Sequence, residues 1–135
     1  MTMKVYFDTN IYINYLRGES SYFRPVSEYA SNAFKSGIGC EYFIVFSDHV
    51  AEELDNKGFT KQDIKDVLDW IGEKVIIVKY KKEHKKITRK ILHEYKGVHY
   101  ADALHYAIAD SSADLLLTED KEMQVLPKVV TYETL

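Results

Sequence analysis

The stretch that decides the fold is residues 3–11, which read MKVYFDTNI. Its short run of β-branched and aromatic residues predicts a buried strand, and the run ends abruptly at Asp8. Asn10 is a good cap for a helix that follows this strand. Because ligands of open parallel sheets bind at the carboxyl ends of strands, Asp8 is a candidate functional residue.

The same alternation of strand and helix continues along the chain. Strands are predicted at residues 42–46, 75–78, 115–117 and 129–130, and helices at 11–16, 25–34, 48–54, 61–71, 82–95 and 100–109. Gly37 and Gly39 should end the second helix, while Ser47 and Thr60 should cap the third and fourth. The strands are apolar throughout, which is typical of a parallel sheet covered by helices on both faces.

Length and composition predict one domain over residues 1–135. The chain is 46% hydrophobic and 29% charged, as in ordinary soluble proteins, and no linker or repeat interrupts it. Its single cysteine excludes an internal disulfide and a Cys-x-x-Cys zinc pattern, which fits a reducing cytoplasm. No signal peptide or membrane span is expected, since no apolar run approaches roughly 18 residues.

Charge is distributed unevenly. Residues 79–96 hold eight basic and two acidic side chains, a local balance of +6, whereas the whole chain carries −3. The basic side chains of Lys82, Lys85, Lys86 and Arg89 should form a stripe with Lys81 and Lys90, opposite Ile87, Ile91 and Tyr95. This stripe is either a solvated helix face or a contact for a phosphate backbone.

Acidic residues recur beside strand ends and helix starts, and they predict a metal site. The candidates are Asp8, Glu52, Glu53, Asp102 and Asp120. Carboxylates that converge on one crevice repel each other and raise each other's pKa, so a cation between them is favoured. Hard oxygen ligands select Mg²⁺ or Mn²⁺, which could activate water for attack on a phosphodiester.

Four motifs carry a family resemblance that covers nearly the whole chain. They are FDTNI at residues 7–11, Ser47 with AEEL at 51–54, YADALHYAIA at 100–109 and LLTEDK at 116–121. With them the chain resembles PIN-domain nucleases, especially the small VapC-type toxins of toxin–antitoxin pairs. The resemblance implies a three-layer α/β/α domain with a central parallel sheet of four to five strands.

The resemblance also implies the site and its chemistry. Asp8, Glu53, Asp102 and Asp120 would hold one or two Mg²⁺ or Mn²⁺ ions, supported by Asn10 and Thr118. Glu53 is chosen because the family acid lies six residues after the serine and directly before a leucine; Glu52 is the alternative. The implied reaction is cleavage of RNA to a 5′-phosphate and a 3′-hydroxyl, by a homodimer paired with an antitoxin.

Other residues keep plainer interpretations. His99 and His105 flank Asp102, but imidazole does not suit Mg²⁺, so His105 is expected to contact substrate or lie at the edge of the core. His49, His84 and His93 belong to no recognised pattern. The eleven tyrosines could stack on bases or simply pack in the core or an interface.

Three alternative functions differ from the toxin. A solitary PIN-domain nuclease would process RNA without an antitoxin, and a PIN-like module would bind RNA or protein without cutting. A phosphoacceptor receiver domain is also doubly wound, but it needs an aspartate ending its third strand. Here that strand ends at Val78, followed by Lys79 and Tyr80.

Overall fold

The computed structural model describes residues 2–18 and 25–135. The strands are β1 (Lys4–Phe7), β2 (Phe43–Ser47), β3 (Val75–Val78), β4 (Leu115–Leu117) and β5 (Val129–Val130). The helices are α1 (Thr9–Arg17), α2 (Val26–Ile38), α3 (Asp48–Asn56), α4 (Lys61–Ile71), α5 (Lys82–Glu94) and α6 (Tyr100–Ser112). Two 3-10 helices, Gly72–Lys74 and Lys121–Val125, precede β3 and follow β4.

The five strands form one parallel sheet in the order β3-β2-β1-β4-β5. The chain moves from β1 outward to β3, then crosses back to place β4 on the other side of β1. The strand order therefore reverses between β1 and β4, and ligands of open parallel sheets bind in the crevice at the carboxyl ends of the strands beside such a switch point. The six helices flank the sheet, α1 packing against α2 and α5 against α6, which confirms the expected three-layer α/β/α fold.

The central strands are buried on both faces, as predicted. In β1, Val5, Tyr6 and Phe7 have no exposed surface, and in β2 the same holds for Ile44 and Val45. The edge strand β3 differs, since its Ile77 is 62% exposed. The continuous apolar pattern predicted burial there, but an edge strand has a neighbour on one side only.

Aromatic side chains fill much of the core. Phe34 makes edge-on contacts with Phe7 and Tyr12, and Tyr15 stacks on Trp70 with ring centroids 4.7 Å apart. Tyr6, Tyr12 and Tyr42 are buried, so packing accounts for these tyrosines. Tyr29 and Tyr100 are exposed, and Tyr22 lies outside the described residues.

The caps show which local predictions were right. Ser47 caps α3 by accepting from Val50 N–H at 3.2 Å, and Thr60 forms a capping box with Asp63 at the start of α4. The cap of α1, however, is Asp8 rather than Asn10, which lies inside the helix. Gly37 is likewise a buried residue within α2, and only Gly39 ends that helix.

Candidate functional site

The candidate site lies where β1 and β4 end side by side. The Asp8 N–H donates to the Leu117 carbonyl at 3.0 Å, which holds the two strand ends together. The Thr118 hydroxyl then donates to Asp8 Oδ2 at 2.7 Å. Asp8 and Thr118 therefore meet at the switch point of the sheet.

Asp8 is a fixed and buried carboxylate, only 4% exposed. Its Oδ1 accepts from the Thr9 N–H at 2.7 Å, since Asp8 caps α1 and satisfies a donor of its first turn. A carboxylate has about four lone-pair positions, and these two hydrogen bonds leave some of them open. Asp8 is thus oriented by the protein while it keeps acceptor capacity for a ligand.

Glu53 contacts two neighbours of Asp8 from its place on α3. Its Oε1 accepts from the Thr9 hydroxyl at 2.5 Å and from His105 Nε2. Burial acts to raise the pKa of Glu53, but the hydrogen bond and charge of His105 and the bond from Thr9 outweigh it and lower the pKa to about 2. Glu53 is therefore held as an anion.

Glu52 takes a different place on the same helix. It is exposed, and its Oε1 accepts from the Tyr80 hydroxyl at 3.1 Å. Successive residues of a helix point about 100° apart, so only one of two adjacent glutamates can face the crevice. The structure brings Glu53 to Thr9 and His105, which both neighbour Asp8, and leaves Glu52 at the surface.

Asp102 and Asp120 form the other half of the site. Asp102 lies in the first turn of α6, and Asp120 caps the 3-10 helix after β4, with its N–H donating to the Thr118 hydroxyl at 3.1 Å. Burial raises the pKa of Asp102 to about 7, helped by its hydrogen bond with Asp120 and the negative charge of Asp8. Burial acts to raise the pKa of Asp120 as well, but hydrogen bonds with Glu122 and Asp102 lower it.

A divalent cation held by Asp8, Glu53, Asp102 and Asp120 stays a prediction, and the chemistry of these side chains suits it. Neighbouring carboxylates help to raise the pKa of Asp102, so the negative charge around it is not fully compensated. A bound cation would compensate that charge. All four side chains offer hard oxygen donors, the set that Mg²⁺ and Mn²⁺ prefer.

Asn10 lies in α1, and its Oδ1 is buried without a hydrogen-bond partner among the described residues. An unpaired buried acceptor costs free energy unless a ligand or water satisfies it. This oxygen is consistent with a supporting role for Asn10 near a cation, which stays a prediction.

His105 is the residue whose place the sequence analysis misjudged. It has no exposed surface, so it lies at the centre of the site rather than at the edge of the core. Its Nδ1 is 2.7 Å from the Tyr6 hydroxyl, and its Nε2 is 3.4 Å from Asp8 Oδ1. Burial acts to lower the pKa of His105, but the charges of Asp8 and Glu53 outweigh it and raise the pKa.

His49 was assigned to no pattern, yet it packs beside His105. The two ring centroids are 4.2 Å apart, and burial followed by the charge of His105 lowers the pKa of His49. One signal in the sequence could have found it: His49 precedes Glu53 by four residues, the spacing that places two side chains on one face of a helix.

The basic stripe on α5 is exposed, as predicted. Lys82, Lys85, Lys86 and Arg89 all lie at the surface, and Lys85 Nζ is 5.6 Å from the Tyr80 ring centroid. The expected apolar face was partly wrong. Ile87 is 37% exposed, and the inner face of the helix is formed by Thr88 and Ile91.

None of the helices within residues 2–18 and 25–135 has the length and apolar character that a membrane span requires.

Comparisons with known proteins relate this fold and site to others. The chain is similar to a toxin–antitoxin complex from Klebsiella pneumoniae, with 22% identity, a TM-score of 0.71, and 95% of this chain and 97% of that chain covered. It is also similar to VapBC2 from Rickettsia felis bound to a DNA fragment from the promoter, with 17% identity, a TM-score of 0.67, and 96% and 97% covered. No curated protein gave a significant match.

The PIN domain model matches residues 5–129, which reach from β1 to β5 and include every acidic candidate. This match confirms the resemblance seen in the four motifs. The chain belongs to the PIN domain family.

Proposed function

We propose that this protein is a Mg²⁺- or Mn²⁺-dependent endoribonuclease and acts as the VapC-type toxin of a toxin–antitoxin pair. One arrangement supports the proposal: the charge of Asp8 acts on Asp102, Asp102 forms a hydrogen bond with Asp120, and Glu53 accepts from the hydroxyl of Thr9, the residue after Asp8. The family match supports a nuclease, and acids with shifted pKa values that lie together are typical of functional sites.

Asp8, Glu53, Asp102 and Asp120 would hold the metal. When bound, it would supply an activated water for attack on phosphorus and charge stabilisation for the leaving oxygen, giving a 5′-phosphate and a 3′-hydroxyl. Thr9 and Thr118 fix the Asp8 carboxylate by their hydrogen bonds, and His105 fixes Glu53. The protein therefore presents oriented oxygens before substrate arrives, which lowers the cost of assembling the reactive geometry.

The basic stripe on α5 is proposed to bind the RNA backbone. An acidic crevice repels a polyanion, and a nearby cationic surface offsets that repulsion. Lys82, Lys85, Lys86 and Arg89 are exposed and contribute four positive charges to one helix. Backbone contacts of this kind confer affinity without sequence preference.

An antitoxin protein and a second copy of this chain are the proposed partners. The support is the similarity to a structure described as a toxin–antitoxin complex and to one described as VapBC2 on promoter DNA. Light scattering on the purified protein should give twice the 15.7 kDa mass of one chain. A mass of one chain would contradict the dimer without touching the nuclease proposal.

Cleavage of a pool of structured RNAs by purified protein tests the proposed activity. Wild-type protein should cut with Mn²⁺ or Mg²⁺ and not with EDTA, and Asp8→Asn should cut about 100-fold less or not at all with either metal. Asp55→Asn is the matched control, because Asp55 is exposed on α3 and takes no part in the site. Absence of cutting by wild-type protein with either metal, or cutting that persists in EDTA, would overturn the proposal.

A further inference from the structure

We propose a second metal site in this molecule, formed by His49, Glu53 and His105 and suited to Zn²⁺. Ligand atoms of these three side chains lie within 4.8 Å of one another. Asp102 and Asp120 do not belong to this group, but His105 Nε2 lies 3.4 Å from Asp8 Oδ1, so the proposed zinc site adjoins the four-carboxylate centre and shares Glu53 with it. The inference does not depend on the proposed nuclease activity.

The donor set indicates the kind of metal. Two imidazoles and one carboxylate suit Zn²⁺ and related transition metals, whereas Mg²⁺ prefers oxygen ligands alone. A zinc ion held by three protein ligands keeps a fourth position open for water or substrate. Zn–N bonds of about 2.0–2.1 Å place tetrahedral ligand atoms about 3.4 Å apart. Small side-chain rotations that move the ligand atoms by about an ångström would bring them to that spacing.

His49 has a hydrogen bond of the kind that metal-ligating histidines commonly make. Its Nε2 is 3.1 Å from the Ala101 carbonyl oxygen. Because a carbonyl oxygen only accepts hydrogen bonds, Nε2 carries the proton and Nδ1 keeps its lone pair. An imidazole that donates one N–H to a backbone carbonyl and coordinates through the other nitrogen is the common arrangement in protein metal sites.

His105 has matching support on its other side. Its Nδ1 lies 2.7 Å from the Tyr6 hydroxyl, and that hydroxyl lies 2.6 Å from Ser47 Oγ. These buried partners hold the ring so that Nε2 faces Glu53 Oε1. Zinc binding would place the cation between Nε2 and Glu53 and release the Nε2 proton to solvent.

Sharing Glu53 has a consequence for the acidic centre. A Glu53 carboxylate bound to Zn²⁺ beside two imidazoles is less available to a cation held by Asp8 and Asp102. The two sites are therefore coupled, and zinc should weaken Mg²⁺ binding. The coupling is reciprocal, so saturating Mg²⁺ should weaken zinc binding by the same factor.

Titration of metal-stripped protein with Co²⁺, a spectroscopic substitute for zinc, tests the site without RNA. We expect the intense visible absorption of a tetrahedral nitrogen-ligated cobalt, saturating at one equivalent and abolished by added Zn²⁺. His49→Gln should raise the Kd for Co²⁺ by about 100-fold or more, since loss of a ligand exceeds the effect of losing a supporting hydrogen bond. His93→Gln, on the exposed surface of α5, should bind as wild type does.

Two further variants keep the result decisive. Asp102→Asn should retain the cobalt spectrum, because Asp102 is not a ligand of this site. Glu53→Gln should lose it, and serves in place of His49→Gln should that variant fail to fold by circular dichroism. The proposal is overturned by weak octahedral absorption alone, by a spectrum lost in Asp102→Asn, or by one unchanged in both His49→Gln and Glu53→Gln.

Discussion

The two halves of the crevice treat the same chemical group in opposite ways. Glu53 and Asp102 are both half-buried carboxylates near Asp8. Burial acts to raise both pKa values, yet that of Glu53 falls to about 2 and that of Asp102 rises to about 7. The difference comes from their partners, since Glu53 meets the donors of His105 and Thr9 whereas Asp102 meets the carboxylate of Asp120.

This contrast shows where a cation is needed. In the metal-free protein, His105 offsets the charge of Glu53, and a cation bound on that side would take over this role as the His105 proton leaves. On the Asp102 side the repulsion is relieved only by a proton or by a bound cation. The acidic centre should therefore exchange protons for metal mainly at Asp102.

Replacing Asp8 should break the contrast and have the largest effect on activity. Asp8→Asn should reduce metal-dependent cleavage by about 100-fold or more, because a ligand is lost. The pKa of Asp102 and that of His105 should both fall, since the charge of Asp8 raises each. Cleavage assays and NMR titration of the two side chains measure these changes.

The fold should survive this substitution. Asparagine retains the side-chain oxygen that caps α1, and removal of one charge relieves repulsion within the cluster. Thermal denaturation should give a Tm equal to or above that of wild type. Unchanged cleavage by well-folded, metal-replete Asp8→Asn protein would remove Asp8 from the site.

The two adjacent glutamates on α3, Glu52 and Glu53, should differ in their effect on cleavage. Glu53→Gln should lower cleavage by about 10- to 100-fold, because the variant loses both a proposed ligand and the anion that pairs with His105. Glu52→Gln should change it by less than about twofold, since exposed pairs contribute little. The rates of the two variants, measured side by side, decide the matter, and the reverse order would show that Glu52 is the ligand.

The pH dependence of metal binding tests the Asp102 side. Below the Asp102 pKa of about 7 a proton competes with metal, so affinity should rise by up to about tenfold per pH unit and level off above it. Asp102→Asn should flatten this profile in calorimetric titrations. A wild-type affinity independent of pH over this range would contradict the assignment.

In the metal-free protein, Asp102 and Glu53 should make the free energy of unfolding depend on pH in opposite directions. The folded pKa of Asp102 is raised, so its contribution is fully present below the unfolded value of 3.8 and is lost as pH rises through about 7. The folded pKa of Glu53 is depressed, so its contribution is present above 4.5 and is lost as pH falls toward about 2. Urea unfolding of wild type and Asp102→Asn at several pH values separates the two.

The buried residues Tyr6 and Tyr12 should affect stability and have the smallest effect on activity. Tyr6→Phe should cost about 1–3 kcal/mol of unfolding free energy, because it leaves His105 and Ser47 without a buried partner. Tyr12→Phe is the matched control: its buried hydroxyl has no hydrogen-bond partner in the described part of the chain, so its loss should be neutral or stabilising. Urea unfolding measures both, and equal effects would show that the Tyr6 network contributes no stability.

Caps and apolar runs predicted helices and strands well where the outcome depended on residues adjacent in sequence. The helix after Thr60 and the strand Val75–Val78 have the predicted bounds. Errors arose where two local signals competed. Asp8 and Asn10 both suit a helix cap, and Asp8 takes the position because α1 begins directly after β1. Ile87 fitted the apolar stripe of α5, but the packing of α5 on α6 buries Thr88 instead.

The sequence by itself determined the order of strands and helices, the family, and the acids that follow β1 and β4. These are properties of contiguous residues, since burial periodicity, caps and strand ends are read within a few positions. Only the tertiary structure decided that Glu53 rather than Glu52 meets Thr9 and His105, that His49 packs on His105, and that the pKa values of Glu53 and Asp102 shift in opposite directions. Those features depend on distances between residues of α1, α3 and α6, which the chain brings together only when it folds.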